Sequence, residues 1–227
     1  MRARRLVGGV LALATILALL ALGVWQIERR TWKLALIEQV ERRLAASPVP
    51  APGPAAWGGI GPDTAYTRVT VRGRFVPNGD SYVQAVTDLG GGYWLVTPLR
   101  TDAGWTVLVN RGFVPADRRG AIPAPQDVPA AVSGLLRLTE PGGGFLRRND
   151  PAQNRWYSRD VQAIATRQGL TNVAPYFIDA DRSGDAWPRG GLTVVRFKNN
   201  HLVYALTWFG LAALVVVFVF IARRRVA

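Results

Sequence analysis

The chain has 227 residues, no cysteine, one histidine and a formal net charge of +13. The missing thiols exclude a disulfide framework, cysteine-ligated zinc or iron–sulfur sites, thiol copper delivery and a C-x-x-C-H attachment, and a lone histidine excludes a metal site built from several imidazoles of one chain. Six of the 28 basic residues lie in the terminal tails and all 15 acidic ones lie between them, which leaves +7 on the middle segment. That balance suits anionic headgroups or the carboxylates of a cofactor better than nucleic acid.

Arg2, Arg4 and Arg5 sit in a short tail, residues 1–5, ahead of an uncharged run from Leu6 to Ile27. The run is long enough to cross a hydrocarbon core, which needs roughly 20 apolar residues. Its length, and the lack of a small-residue cleavage site before Trp25-Gln26, mark it as a retained span rather than a signal peptide. Trp25 and Trp32 bracket its exit, where amphipathic rings favour the headgroup zone. An amphipathic helix is expected to continue over 28–46, with Leu34, Ile37, Val40 and Leu44 at helical spacing and Glu38 placed to pair with Arg42. Ser47-Pro-Val-Pro-Ala-Pro-Gly-Pro54 ends it, because proline lacks the amide donor and restricts its neighbour. Residues 47–62 read as a stiff linker.

A β-rich domain is expected over 63–198. Val69, Val71, Gly73 and Phe75 alternate with Arg68, Thr70, Arg72 and Arg74, the pattern of a half-buried antiparallel strand. Pro77-Asn-Gly-Asp80 turns the chain into a strand over Tyr82–Thr87. Gly90-Gly-Gly92 reads as a hairpin loop. Tyr93–Thr101 and Trp105–Phe113 form a second hairpin around Asp102-Ala-Gly104. A proline-rich excursion, Pro115 to Pro129, precedes a strand over Val132–Leu138. Pro141-Gly-Gly-Gly-Phe145 lacks the Gly-Lys-Ser/Thr of a phosphate loop and reads as a turn. Asp160–Gln168 is a short helix, and Pro175–Ala180 and Leu192–Arg196 are further strand candidates. Asp179, Asp181 and Asp185 lack the spacing of a Ca²⁺ loop and read as solvated acids. No Gly-x-Ser-x-Gly or other nucleophile–base pattern is present, so no enzyme site is expected.

The second uncharged run, Leu202 to Ala222, lies in a span assigned to 199–222, with Arg223, Arg224 and Arg225 in a tail of 223–227. Positive residues in short flanks stay on the cytoplasmic side, so both termini are expected inside and the middle domain outside. Arg29, Arg30, Lys33, Arg196 and Lys198 lie on the other side, where a long domain weakens the rule. The expected fold class is a membrane protein of α+β type: a hairpin of two transmembrane helices flanking an extracytoplasmic antiparallel β-rich barrel or sandwich.

His201 opens the second span. Imidazole there serves either as an interfacial anchor or as the ligand of a lipid-soluble, metal-bearing cofactor; residue chemistry alone leaves both readings open. On a helix, Tyr204, Ala205 and Trp208 share its face. Trp25 and Gln26 approach it if the spans pack as a hairpin, for which Ala14 with Ala18 and Gly210 with Ala213 are the small-residue candidates.

Four segments carry a resemblance: Leu22-Gly-Val-Trp-Gln-Ile-Glu-Arg-Arg-Thr-Trp-Lys-Leu-Ala-Leu-Ile37, Val109-Asn-Arg-Gly-Phe-Val-Pro115, Asn149-Asp-Pro-Ala-Gln-Asn-Arg-Trp-Tyr-Ser-Arg-Asp160 and Asn199-Asn-His-Leu-Val-Tyr-Ala-Leu-Thr-Trp-Phe-Gly210. In order and position they resemble the surfeit locus protein family over nearly the whole chain, both spans included. The resemblance implies a non-enzymatic assembly factor for haem-copper cytochrome c oxidase, binding haem a transiently and assisting its insertion into the catalytic subunit. The alternative is a non-haem scaffold for that immature subunit; a membrane-anchored hydrolase is a more distant third reading. The implied partners are the catalytic subunit, haem a synthase or other oxidase assembly factors, and the lipid bilayer. The topology of the two spans sets the expected location as a bacterial inner membrane with a periplasmic domain; a mitochondrial inner membrane is the alternative, disfavoured because no Arg/Ser-rich presequence precedes the first span. His201 carries the implied role of axial ligand to haem iron. Tyr204, Trp208, Trp25 and Gln26 are its expected surroundings, and Arg29 and Arg30, with Arg196 or Lys198, are expected to face either the propionates or lipid headgroups.

Overall fold

The computed structural model describes residues 2–123, 125, 128–182, 184–193 and 197–224. The chain runs α1 (Arg2–Ala45), β1 (Val49–Pro50), β2 (Arg68–Phe75), β3 (Ser81–Thr87), β4 (Gly90–Thr101) and β5 (Thr106–Pro115). It continues through β6 (Pro129–Leu138), the two-residue strands β7 (Gly143–Gly144) and β8 (Arg147–Arg148), α2 (Val161–Arg167), β9 (Val173–Ala180) and α3 (His201–Arg224). Two compact units result: Met1–Glu41 with Val195–Ala227, and Arg42–Val194.

The first unit is helical. Both of its helices are long and apolar enough to cross a membrane, with mean hydropathies of 2.5 and 2.6 over their most apolar windows. Most of their side chains, Leu11, Leu17, Leu214 and Phe218 among them, are exposed. The residues withdrawn from the surface include Gly9, Ala12, Ile16, Leu19, Gly23, Gln26, Arg30 and Lys33 in α1, and His201, Ala205, Trp208, Phe209, Ala212, Val215 and Val219 in α3. Steps of three and four along both helices are the seam of a left-handed pair. The small residues at contact are Gly23, Ala205 and Ala212, and the expected Ala14, Ala18, Gly210 and Ala213 are all exposed. Spacing of four finds small residues on one face of a helix but not which face meets a neighbour. The side chains of Arg2, Arg4 and Arg5, with Arg196 and Arg225, lie outside the described residues.

The second unit is a closed barrel. The sheet order is β1-β2-β6-β9-β5-β4-β3, and β2 also pairs with β4, so β2, β6, β9, β5 and β4 form a ring. The burial of Val69, Val71 and Gly73 against exposed Arg72 and Arg74 matches the alternation in the sequence. The wholly antiparallel expectation is corrected: β5 and β9 run parallel, as do β1 and β2. Five strands in a closed ring cannot all alternate in direction, so one neighbouring pair must be parallel. The barrel is filled by Val69, Val71, Leu99, Val107, Val109, Leu136, Tyr176 and Ile178. Outside it, β3 and α2 cover the other face through Val83, Val96, Leu108, Trp156, Ile164 and Phe177. Both faces of β5 and β9 are therefore buried, which accounts for their near-continuous apolar runs.

Several local expectations change. Residues 47–62 are part of the barrel unit rather than a linker. Val49 and Pro50 pair with β2, and Ala51 N donates to Thr70 O at 2.9 Å. Pro52 O accepts from Trp57 Nε1 and from Tyr176 Oη, at 3.1 and 2.7 Å. Prolines remove donors yet keep carbonyls, and buried indole and phenol groups supply the missing protons. Burial raises the Tyr176 phenol above its ordinary value, so it stays a donor. Gly90-Gly-Gly92 belongs to β4, the loop being only Asp88 and Leu89. A Cβ on Gly92 would lie 2.3 Å from Val114 O, so glycine admits the close approach of β5 there. Leu192 and Thr193 are not in a strand, and residues 194–196 lie outside the described set.

The Val109–Pro115 segment contains a bulge. Leu95 pairs with Gly112 and Val96 with Asn110, leaving Arg111 as the extra residue. Gly112 adopts φ +135°, and a Cβ there would fall 2.2 Å from the Arg189 carbonyl carbon. Phe113 and Arg189 exchange backbone hydrogen bonds of 2.8 and 3.0 Å beside it. Gly112→Ala is expected to cost about 1–3 kcal/mol from backbone strain alone, with the clash added. A chemical denaturation midpoint within error of the parent's would contradict this.

Candidate functional site

The helical unit brings His201 and Gln26 together. Asn199 Oδ1 accepts from His201 N at 3.4 Å and Tyr204 N donates to Asn200 O at 3.2 Å, so the two asparagines close the first turn of α3. This fixes His201 as the first residue of the helix. Its Nδ1 lies 2.7 Å from Gln26 Oε1. Because that amide oxygen can only accept, Nδ1 donates to it, and the neutral tautomer that this contact selects leaves the lone pair on Nε2. The same division of labour orients metal-bound imidazoles elsewhere: one nitrogen held by an acceptor, the other free to ligate.

Packing makes the pairing possible. A Cβ on Gly23 would sit 2.3 Å from the Phe209 ring. Ala205 is wholly buried and Gln26 is 9% exposed. Glycine and alanine at these positions let the helices approach until a glutamine on one reaches an imidazole on the other. Trp208 Nε1 is buried without a hydrogen-bond partner among the described residues.

Of the expected site residues, the structure draws His201, Gln26, Ala205 and Trp208 into one seam. Trp25 and Tyr204 are 52% and 54% exposed and lie on outer surfaces of the two helices. Arg29 places its guanidinium carbon 4.2 Å from the Trp32 ring centroid, while Arg30 is half-buried in the seam. Lys33 Nζ lies 5.6 Å from the Phe197 ring. Gly23, Phe209 and Ala212 were missed by the sequence reading. The heptad spacing from Gly9 to Gly23, repeated from Ala205 to Ala212, was the available signal.

A second polar cluster lies in the barrel unit. Asp179 is 3% exposed, which corrects its reading as a solvated acid. Its oxygens accept from Asn110 Nδ2 at 2.7 Å, Arg137 Nη1 at 2.8 Å, Thr193 Oγ1 at 2.9 Å and Arg159 Nη1 at 3.1 Å. Asp181 is paired with Arg68, and Asp185 with Arg182. Arg159 also binds Glu140. The rest of the Asn149–Asp160 segment is a brace. Asn149 Oδ1 accepts from Tyr157 N and Ser158 N, Trp156 is 2% exposed, and Asp160 caps α2 through Ala163 N at 3.1 Å. With both oxygens of Asp179 engaged by donors from β5, β6 and the segments around Arg159 and Thr193, this cluster joins segments of the chain.

Burial alone would raise the Glu140 carboxyl, but the hydrogen bonds and charge of Arg159, with Arg137 behind, hold it below the ordinary carboxylate value. A carboxyl lowered in the folded state stabilises the fold above its unfolded value and loses that contribution as pH falls through the folded one. Glu140→Gln is therefore expected to lower Tm at pH 7, with the gap to the parent closing as pH falls below the carboxylate range. A gap that stays constant down to pH 3 would contradict this.

These elements define a class: two membrane-length helices, paired through a histidine and a glutamine, joined in sequence by a closed β-barrel unit. Residues 13–213 match the SURF1 family. Surfeit locus protein 1 of Mus musculus is 38% identical over 218 residues, covering 85% of this chain and 68% of the relative. That of Homo sapiens is 37% identical over 219 residues, covering 85% and 69%. A SURF1-like protein of Caenorhabditis briggsae is 31% identical over 232 residues, covering 90% and 71%. The chain belongs to the SURF1 family.

Proposed function

We propose that this protein is an assembly factor for haem-copper cytochrome c oxidase that holds haem a through His201 and assists its insertion into the catalytic subunit. The observation that carries the reading is the 2.7 Å contact between His201 Nδ1 and Gln26 Oε1, which leaves Nε2 as a lone-pair donor. The donor set fits the group: the chain's one imidazole can supply one nitrogen ligand to a haem iron. When bound, haem supplies the iron that this nitrogen ligates. The chain's own residues set the tautomer through Gln26 and offer an unpartnered indole N–H at Trp208. They also provide cations three and four residues beyond Gln26, at Arg29 and Arg30, suited to propionates. Tyr204 and Trp25 keep aromatic surface close in sequence to the two central residues.

The setting belongs to the same proposal. Two apolar helices cross a bacterial inner membrane, with the arginine tails in the cytoplasm and the barrel in the periplasm. The assembly role rests on family membership; the catalytic subunit and haem a synthase are the partners it implies. An optical spectrum tests the reading. Protein purified in detergent from cells that make haem a is expected to show an imidazole-ligated haem a spectrum. Haem-free protein that still retrieves the catalytic subunit would replace this reading by a non-haem scaffold.

A further inference from the structure

The mouth of the barrel near the ends of β2 and β9 holds a cavity of about 510 Å³. Small-molecule sites span roughly 300–1,000 Å³ and are apolar with a few placed polar groups. This one reaches Val109 and Val132, which belong to the barrel core, and is also lined by Phe75 and Trp187. Its charged lining residues are Arg111, Asp181 and Arg182.

Arg111 differs from the other two. Asp181 is taken by Arg68, and Arg182 by Asp185. Arg111 is the extra residue of the β5 bulge, the kind of irregularity that re-aims a side chain beside a site. Its guanidinium carbon lies 5.4 Å from the Phe75 ring centroid. Its Nη1 is buried with no hydrogen-bond partner among the described residues. The nearby Asp80 Oδ1 is 3.9 Å away, beyond hydrogen-bond reach, and already accepts from Thr97 Oγ1. The Arg111 side chain as a whole is 20% exposed and lines the cavity, and a carboxylate is the acceptor that matches a guanidinium fork.

We propose that this cavity binds a monocarboxylate carried on a compact apolar body. Arg111 takes the carboxylate, and Phe75, Val109, Val132 and Trp187 take the body. Asp181 on the wall and Asp80 beside Arg111 disfavour a dianionic phosphate but leave room for one negative charge. The chemistry is shared by a free small acid and by the carboxyl end of a peptide. Hexanoate represents the first and N-acetyl-leucinate the second, and each has a neutral amide as its control.

The test is calorimetric titration of the full chain in detergent with the four probes. Saturable binding of at least one carboxylate is expected, at least ~10-fold tighter than its amide and weakened at least ~10-fold by Arg111→Met. Binding of hexanoate alone assigns the site to a free acid; binding of N-acetyl-leucinate alone assigns it to a peptide end. If Arg111→Met fails to fold, Ala131→Phe serves instead, since it fills the cavity from an exposed lining position and leaves Arg111 in place. That variant is expected to abolish saturable binding. Equal affinity for acid and amide would overturn the proposal. So would binding unchanged in a folded variant, or no saturable heat from either carboxylate up to about 10 mM.

Discussion

His201→Ala is expected to insert and fold while retaining less than about a tenth of the parent's haem a, since a directional metal–imidazole bond has no replacement here. There is no second histidine or cysteine, and the only methionine is Met1. The helix pair should survive, because Gly23, Ala205, Phe209 and Ala212 pack without the imidazole. Gln26→Leu sharpens the test. It keeps the ring but removes the acceptor that holds the proton on Nδ1. Loss of such an outer partner lowers metal affinity by about 10–100-fold, so this variant should retain an intermediate amount. An anchoring role for His201 predicts a different series, with both variants nearly as haem-rich as the parent, because Trp25, Trp32 and Tyr204 remain exposed as interfacial rings. Haem a per mole of protein, with oxidase activity followed in the same cells, separates the cases. Full haem content in His201→Ala sinks the ligand assignment. Lost haem with normal oxidase assembly would make scaffolding the essential task.

What was legible in the sequence was local. Period-two alternation from Arg68 to Phe75, the Asp102-Ala-Gly104 hairpin and the short helix at Asp160–Gln168 depend on neighbours in the chain, and they appear where expected. The phase of the helices was not legible. Ala14 with Ala18 and Gly23 with Gln26 are equally good small or polar pairs until a partner helix selects one face. Ring closure was out of reach for a similar reason. The pairing of β2 with β4, and the insertion of β9 between β6 and β5, join residues far apart in sequence. Asp179 shows the same limit most clearly. Beside Asp181 and Asp185 it read as one of several solvated acids. Its burial depends on Asn110, Arg137, Arg159 and Thr193 arriving from four other segments. The candidate ligand His201 was legible from its singularity and position, whereas the residue that fixes its tautomer was one of several expected neighbours.

Asp179→Ala is expected to cost the barrel about 3–5 kcal/mol, the range for removing one partner of a buried charge network. The side chains of Arg137 and Arg159 are only 18% and 13% exposed, so solvent does not readily replace the lost carboxylate. Thr193 and Asn110 lose their acceptor as well, and Asn110 also orients the bulge by accepting from Gly112 N. With whole-domain stabilities of about 5–15 kcal/mol, such a loss removes about a fifth or more of the margin. Asp179→Asn keeps an acceptor of the same shape without the charge, and should fall between parent and alanine. Arg155→Ala breaks an ion pair whose arginine is 57% exposed, and should cost no more than about 1 kcal/mol. Replacing Asp179, Arg137 and Arg159 together by leucine and methionine is the informative extreme, since apolar substitution of a whole buried charge cluster often restores stability. Denaturant midpoints by near-ultraviolet dichroism, which reads the tryptophans packed on the barrel, rank the series. If Asp179→Ala unfolds at the parent's midpoint, the cluster does not hold β5, β6 and β9 together. If the triple replacement is as stable as the parent while Asp179→Ala is not, the damage comes from stranded charge, and the network's net worth is small.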